Sequence, residues 1–170
     1  MIEIYTDGSS RGNPGQGGYG VAALKNNKID LIASKQFENV TNNQMELKAL
    51  IQAMEWCYSN YALEDVVIIY SDSAYCVNMV NSWIWTWCNN GWKNSKKQIV
   101  ENYELVRKIY DLLQPQFPLT KNFEIKKVSG HNGIVGNEIA DALATQNQTK
   151  FKKIISEKGI EVLSELNFDF

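Results

Sequence analysis

The sequence has few of the residues that bind zinc or form disulfides. Only three of its 170 residues are cysteine and only one is histidine. Cys57, Cys76 and Cys88 are widely spaced and form no CxxC pair, so neither a zinc site nor a disulfide framework is expected. Reduced thiols are typical of the cytosol, and we therefore expect a cytoplasmic protein.

Long apolar runs are also missing. The longest aliphatic run is Val66-Val67-Ile68-Ile69, which is far too short to span a bilayer. No basic segment followed by an apolar one opens the chain, so no secretory signal is expected. We expect no membrane partner, and because nothing in the sequence indicates an oligomer, we expect a monomer.

A surplus of positive charge, which is typical of nucleic-acid-binding proteins, is absent. The chain has 17 Lys and Arg against 19 Asp and Glu, giving a formal net charge of −2. This balance argues against a nucleic-acid partner unless divalent cations offset clustered carboxylates, or lysines concentrate on one face. Lys93, Lys96 and Lys97 are the best candidates for such a basic patch.

The hydrophobic pattern predicts one domain with a mixed sheet. Alternating or apolar runs predict strands over 2–10, 19–24, 29–38, 66–70 and 123–128, with a glycine-rich connection around Pro14. Three- and four-residue spacings predict helices along 47–61, 73–87, 98–113 and 134–146, the third of them ended by Pro115 and Pro118. This order predicts an α/β (mixed α+β) fold, a five-stranded sheet of three antiparallel then two parallel strands flanked by helices. Residues 1–146 form the domain, and 147–170 are a C-terminal helix or tail of it.

Two aspartates are predicted to meet at the centre of this sheet. Asp7 lies within the first strand, where a carboxylate is costly unless it is paired or bound to a metal. Asp72 follows the fourth strand at its carboxyl end, where open α/β sheets bind ligands. Because the first and fourth strands would be neighbours, Asp7 and Asp72 are expected side by side.

Glu46 and Asp141 have ordinary explanations when each is taken alone. Glu46 follows Asn43 by three residues and fits a capping box, while Asp141 fits a solvated position on the last helix. Together with Asp7 and Asp72, however, they would form an oxygen-only set that suits Mg²⁺ or Mn²⁺. Two such charges 4 Å apart repel by about 4 kcal/mol at an effective dielectric constant of about 20. Such a cluster therefore predicts bound divalent cations.

Five groups of short motifs follow one another along the chain. They are Thr6-Asp7-Gly8-Ser9 with Gly12-Asn13-Pro14-Gly15; Thr41-Asn42-Asn43-Gln44-Met45-Glu46-Leu47; Ser71-Asp72-Ser73-Ala74-Tyr75; Trp83-Ile84, Trp87 and Gly91-Trp92-Lys93; and Gly130-His131-Asn132-Gly133 with Gly136-Asn137-Glu138 and Ala140-Asp141. In this order they resemble the type 1 ribonuclease H family over roughly residues 2–145.

The resemblance implies a ribonuclease H-like fold and an endoribonuclease that cuts the RNA strand of RNA–DNA hybrids. It implies a two-metal-ion mechanism with two Mg²⁺ ions, for which Mn²⁺ can substitute, and products carrying a 5′-phosphate. The metal-binding and catalytic carboxylates would be Asp7, Glu46, Asp72 and Asp141, and the catalytic histidine would be His131.

The same resemblance assigns the substrate contacts. The matching positions are Asn13, Thr41, Asn43, Gln44, Trp92 and Lys93. Asn13 with Thr41 would grip a phosphate of the DNA strand, whereas Asn13, Asn43 and Gln44 would contact the minor groove and its 2′-hydroxyls. Turn and cap chemistry is the alternative for Asn43 and its neighbour Asn42.

The tryptophan-rich segment is expected to divide between packing and binding. Trp92 is expected to stack on a deoxyribose, while Trp83 and Trp87 are expected to pack in the core. Here the chain departs from the family, because Cys88-Asn89-Asn90 replaces the basic residues that precede Gly-Trp-Lys in many members. We therefore expect weaker hybrid binding and a shallower salt dependence than in more basic relatives.

Three other interpretations remain open at this point. The chain could be another enzyme of this fold, such as an integrase, resolvase or exonuclease, or a non-catalytic hybrid-binding module. It could also be a detached domain of a reverse transcriptase polyprotein, although Met1 directly before the first strand favours a free-standing protein.

Overall fold

The fold is built on one five-stranded sheet, seen in a computed structural model that describes residues 1–114 and 123–163. The strands are β1 (Ile2–Gly12), β2 (Gly15–Lys25), β3 (Lys28–Val40), β4 (Val67–Ser71) and β5 (Phe123–Lys127). Their order is β3-β2-β1-β4-β5. β1 and β2 pair antiparallel, as do β2 and β3, whereas β4 is parallel to both β1 and β5. The predicted mixed sheet is therefore confirmed.

The helices lie between and after the strands. They are α1 (Asn42–Ser59), α2 (Ala74–Asn78), α3 (Ile84–Asn89), α4 (Tyr103–Leu112), α5 (Val135–Ala144) and α6 (Gln148–Lys158). A π-helical turn, Met79–Trp83, joins α2 to α3, so the helix predicted over 73–87 extends to Asn89 with an interruption that the sequence pattern did not indicate. No helix among residues 1–114 and 123–163 is long and apolar enough to cross a membrane.

The glycine-rich segment from Gly12 to Gly20 lies mostly within strands and does not form a long connection. Only Asn13 and Pro14 separate β1 from β2, which begins at Gly15. Glycine is needed within β2 because neighbouring backbone comes very close: a Cβ at Gly20 would lie 2.3 Å from the Ala140 carbonyl oxygen. The prediction that β2 begins near residue 19 was wrong, since these glycines serve close packing and not a turn.

The helix predicted from residue 98 begins later. Lys93 pairs with Ile99 in an isolated β-bridge, and the amide of Val100 donates to the Trp92 carbonyl over 3.0 Å. Asn102 then takes a left-handed conformation with φ of 58°, and α4 starts at Tyr103. The predicted helix end at Pro115 and Pro118 lies outside the described residues.

Two hydrophobic cores lie on opposite faces of the sheet. On one face Ile4 and Ile69 pack with Leu50 and Met54 of α1. On the other, Tyr5 and Ala22 pack with α5 and α6 through residues that include Ile139, Leu143 and Phe151. The alternation of Ile4 and Tyr5 between the two cores follows from the two-residue repeat of a strand. Burying each such large apolar side chain contributes about 1.5–3 kcal/mol.

The C-terminal segment is part of the fold. α6 packs on α5, and the chain beyond it returns to the free edge of β3, where Val162 pairs in parallel with Ile29. The Ile29 amide donates to the Glu161 carbonyl and the Leu163 amide donates to the Ile29 carbonyl, over 2.9 and 2.8 Å. Of the segment predicted as a helix or tail, residues 148–158 are helix, and residues 164–170 lie outside the described range.

Candidate metal-binding active site

Three carboxylates converge where β1 and β4 lie side by side. In this parallel pair Thr6 stands opposite Ser71, so Asp7 and Asp72 occupy the next position on each chain. Glu46 approaches from α1, and Asp7, Glu46 and Asp72 each place one carboxylate oxygen within 4.8 Å of the other two. Residues distant in sequence thus form one compact group of oxygen ligands.

Glu46 is free for this position because other residues cap α1. The Gln44 amide donates to Thr41 Oγ1, and the Thr41 amide donates to Gln44 Oε1, which completes the capping box. The alternative that Glu46 serves as a capping residue is therefore wrong. Gly8 allows the close approach of α1 to β1, since a Cβ there would lie 2.3 Å from the Glu46 amide nitrogen.

One buried oxygen at this site has no hydrogen-bond partner within residues 1–114 and 123–163. Glu46 is only 8% exposed, and its Oε2 accepts no hydrogen bond from the residues the structure describes. Leaving a buried acceptor unsatisfied costs about 1–3 kcal/mol, and more if the group is charged. A partner-free carboxylate oxygen beside two other carboxylates is the arrangement that a hard divalent cation fits. The residues present therefore suit Mg²⁺ or Mn²⁺.

Burial and mutual repulsion make ionisation of the cluster difficult. Burial, and then the charges of Asp72 and Asp141, raise the pKa of Asp7 to about 8, despite the hydrogen bond that the Gly8 amide donates to it. Burial and then the charge of Asp7 also raise the pKa of Glu46 well above its usual range. For Asp72, burial raises the pKa, while the nearby positive charges of His131 and Lys127 oppose this. A cation would reverse these shifts by favouring the ionised forms.

Asp141 lies beside this group and is not one of its three members. It is half-buried on α5, and its charge helps to raise the pKa of Asp7. Gly20 lets α5 pack closely on β2 at this level of the sheet. Asp141 is thus the fourth acidic side chain at the site, and it acts electrostatically on Asp7 and Asp72.

His131 lies on the solvent side of the cluster. It is exposed, with a left-handed backbone (φ of 56°), in the loop before α5. This loop passes against Asp72, since a Cβ at Gly130 would lie 2.9 Å from Asp72 Oδ2. The imidazole is therefore near one carboxylate and open to a ligand from solvent.

The predicted amide and hydroxyl contacts cluster where the β1–β2 turn meets α1. Asn13 Oδ1 accepts from the Asn42 amide over 2.9 Å, while Asn42 Oδ1 accepts from the Ser10 amide over 2.6 Å. Thr41 and Gln44 form the capping box beside them, and Asn43 is exposed. Asn42 thus has the turn role considered for it, and the turn holds Asn13 near Thr41.

The tryptophans are placed differently from expectation. Trp92 is only 8% exposed and lies edge-on to Tyr110, with ring centroids 4.9 Å apart and Arg107 over its face. Its face is therefore not open for stacking as predicted. Trp83, predicted in the core, is 39% exposed and Trp85 is 43% exposed. Trp87 is half-buried against Trp83.

The basic residues near the site include two that sequence reasoning missed. Lys93 and its neighbours Lys96 and Lys97 are exposed, as a basic patch requires. Lys127 lies at the end of β5, and its positive charge acts to lower the pKa of Asp72. Lys150 Nζ contacts both Asp141 Oδ2 and Glu138 Oε2, and although burial opposes it, these contacts raise the pKa of Lys150. No sequence signal marked Lys150, because its position depends on the turn between α5 and α6.

A mixed sheet of this order, with acidic side chains at the β1–β4 junction, defines the class of ribonuclease H-like nucleases. The chain belongs to the RNase H family, whose profile matches residues 1–149. It is 39% identical over 154 residues to ribonuclease H of Orientia tsutsugamushi (strain Boryong), covering 90% of this chain and 85% of that protein. It is 42% identical over 144 residues to ribonuclease H of Ruthia magnifica subsp. Calyptogena magnifica, covering 84% and 92%.

A solved structure shares the architecture. The foamy viral protease-reverse transcriptase in complex with an RNA/DNA hybrid superposes with a TM-score of 0.72 at 26% identity. The match covers 85% of this chain and 19% of the viral one, so it concerns one part of that larger protein.

Proposed function

We propose that this protein is a divalent-metal-dependent endoribonuclease that hydrolyses the RNA strand of RNA–DNA hybrids, giving 5′-phosphate products. Membership of the RNase H family and similarity to proteins named ribonuclease H support the activity. The viral structure was solved with an RNA/DNA hybrid, which supports the substrate class. The observation that carries the metal dependence is the group of three carboxylates within 4.8 Å, one of them with a partner-free buried oxygen.

Asp7, Glu46 and Asp72, joined by Asp141, would hold two Mg²⁺ ions, with Mn²⁺ as a substitute. Bound cations would supply Lewis-acid stabilisation of the attacking and leaving oxygens of the phosphodiester. The chain contributes a rigid frame for this chemistry, since two ligands come from adjacent strands and a third from the capped helix α1. The same frame keeps the carboxylates together despite their repulsion.

His131 is proposed to move protons or assist product release at the open side of the site. It is exposed and lies near Asp72, which gives it access to solvent and to a bound phosphate. An imidazole can both accept and donate a proton near neutral pH.

Recognition of the hybrid is proposed to use the amides and hydroxyl where the β1–β2 turn meets α1. Asn13, Asn43 and Gln44 offer donors and acceptors that can read a 2′-hydroxyl, and Thr41 with Asn13 offers a phosphate contact. These contacts are to sugar and phosphate, so cleavage should be independent of sequence. Lys93 would add a phosphate contact, with Trp92 supporting its backbone from the core.

We also propose that the protein is a monomer in the cytoplasm. The sequence has three widely spaced cysteines and no CxxC pair, and reduced thiols are usual in that compartment. The molar mass measured by light scattering after size-exclusion chromatography tests whether the protein is a monomer.

The test of the activity is a hybrid labelled on its RNA strand, incubated with and without Mg²⁺ or Mn²⁺. We expect cleavage only of the hybrid and only with metal, beside uncut RNA duplex and DNA duplex controls. The Asp72→Asn variant should bind hybrid but not cut it. Equal cleavage of duplex DNA would favour another nuclease of this fold, and binding without cleavage in either metal would favour a non-catalytic module.

A further inference from the structure

A single ammonium group sits between two acidic side chains at the rim of the active site. Lys150 Nζ lies 2.5 Å from Asp141 Oδ2 and 2.8 Å from Glu138 Oε2. All three side chains are less than one-third exposed. In most other ion pairs among the described residues, the side chains are more exposed than this. Asp141 in turn lies close enough to Asp7 for the two carboxyl groups to interact electrostatically. The ammonium is therefore connected to the carboxylate cluster through one intermediate side chain.

The helix that carries Lys150 is fixed at both ends. At its start, Asn147 Oδ1 accepts from the Lys150 amide over 3.0 Å, and the Asn147 amide donates to the Ala142 carbonyl of α5. The next residue, Phe151, is 4% exposed in the core formed by α5 and the sheet. Beyond the helix, the pairing of Val162 with Ile29 ties the chain to β3. Lys150 is thus held near Asp141 by the fold and not only by its own ion pair.

The position of this ammonium has two electrostatic consequences. A cation beside the cluster lowers the repulsion among the ionised carboxylates when no metal is bound. The same cation repels an incoming divalent ion and occupies one oxygen of a proposed ligand. Both effects are less screened than at the surface because the three side chains are partly buried.

We propose that Lys150 is a positioning residue that acts as an internal counter-cation for Asp141. It holds the Asp141 carboxylate and stabilises the metal-free protein, and it competes with divalent cations for that carboxylate. The C-terminal helix α6 therefore sets the cation concentration that the active site requires. This inference rests on the proposed metal site at Asp7, Glu46, Asp72 and Asp141.

The test compares Lys150→Met with the wild type in the full chain. Metal binding is measured by calorimetric titration with Mg²⁺ and by the rise of the melting temperature with Mg²⁺ concentration. Lys153→Met is the matched control, because Lys153 lies on the same helix and its side chain is 70% exposed, 3.9 Å from Glu157. Lys150→Arg keeps the positive charge and is the conservative variant.

We expect Lys150→Met to melt at a lower temperature than wild type in EDTA and to bind Mg²⁺ more tightly. Removing one neighbouring positive charge should lower the half-saturating Mg²⁺ concentration by about three- to tenfold, equivalent to a shift of about half to one logarithmic unit. Hybrid cleavage should reach its maximum at a correspondingly lower Mg²⁺ concentration. Lys150→Arg and Lys153→Met should match the wild type.

A lower melting temperature with unchanged or weaker Mg²⁺ binding would overturn the proposal and leave Lys150 a structural contact only. Failure of the metal site itself has a different signature. In that case the wild type would show no Mg²⁺-dependent rise in melting temperature, and Asp72→Asn would behave in the same way.

Discussion

Replacing Asp7 with asparagine should stabilise the metal-free protein while abolishing activity. The asparagine Oδ1 can still accept from the Gly8 amide, as Asp7 Oδ1 does over 3.0 Å, so the substitution replaces a titratable carboxyl by a neutral group of nearly the same shape. Burial and the neighbouring carboxylates raise the pKa of Asp7 to about 8 in the folded protein. In the unfolded chain an aspartate has a pKa near 3.9.

The sign and size of the effect follow from proton linkage. Between these two pKa values the folded protein keeps a proton that the unfolded chain has released, so the stability contributed by Asp7 falls as pH rises. The full slope is about 1.4 kcal/mol per pH unit, or about 2.7 kcal/mol between pH 5 and pH 7. Because the cluster can relax and share protons, we expect about 2 kcal/mol, which is roughly 4–8 °C in melting temperature for a chain of this size.

The measurement is the melting temperature of wild type and Asp7→Asn in EDTA at pH 5 and pH 7. The advantage of Asp7→Asn should grow with pH, and saturating Mg²⁺ should reduce it by stabilising only the wild type. Asp111→Asn is the matched control, because Asp111 is half-exposed and pairs with Arg107 on the surface of α4. An advantage of Asp7→Asn that is absent, or the same at both pH values, would refute the reasoning.

The remaining predictions concern the other parts of the site. Glu46→Gln should lower turnover by about 10³-fold or more, equivalent to about 4 kcal/mol, and should remove the Mg²⁺-dependent rise in melting temperature; a variant retaining both would exclude Glu46 as a ligand. His131→Ala should slow cleavage by about 10²-fold without changing hybrid affinity or metal-free stability, as single-turnover kinetics and binding titrations will show. Gly20→Ala should destabilise the fold by about 3 kcal/mol, since its Cβ would meet backbone at 2.3 Å. Gly91 has open space around it and a φ of 68°, so Gly91→Ala should cost only about 1 kcal/mol. Equal urea midpoints for the two variants would contradict this. The logarithm of hybrid affinity should fall with the logarithm of salt concentration with a slope magnitude below about 5, because few basic residues replace counterions; a slope near 10 would contradict it.

Much of the sheet could be predicted because strand patterns depend on local alternation and burial. Three closely spaced alternating segments gave the antiparallel strands, and the apolar run before Asp72 indicated a buried parallel strand. Three antiparallel strands followed by parallel ones place the first strand beside the fourth. The sequence therefore predicted that Asp7 and Asp72 would meet. The fourth strand, Val67–Ser71, differs from the prediction by only one residue at each end.

The errors arose where tertiary packing overrides local pattern. The glycines of β2 look like a turn, yet a Cβ at Gly20 would meet α5, and Cβ atoms at Gly17 and Gly18 would meet the neighbouring strands. The segment before α4 looks helical, but Lys97 and Asn102 both adopt left-handed backbone conformations, so the helix starts at Tyr103. The burial of Trp92 depends on α4, which contacts it through Tyr103 and Tyr110.

The pairing of Val162 with Ile29 has a consequence for the sheet as a whole. β3 is an edge strand, and an open edge offers unpaired amides and carbonyls to any other extended chain. Here the protein's own C-terminal segment satisfies both the amide and the carbonyl of Ile29. The same few residues that hold α6 in place thereby shield part of the outermost strand from intermolecular strand addition, so loss of this segment would expose a template for self-association.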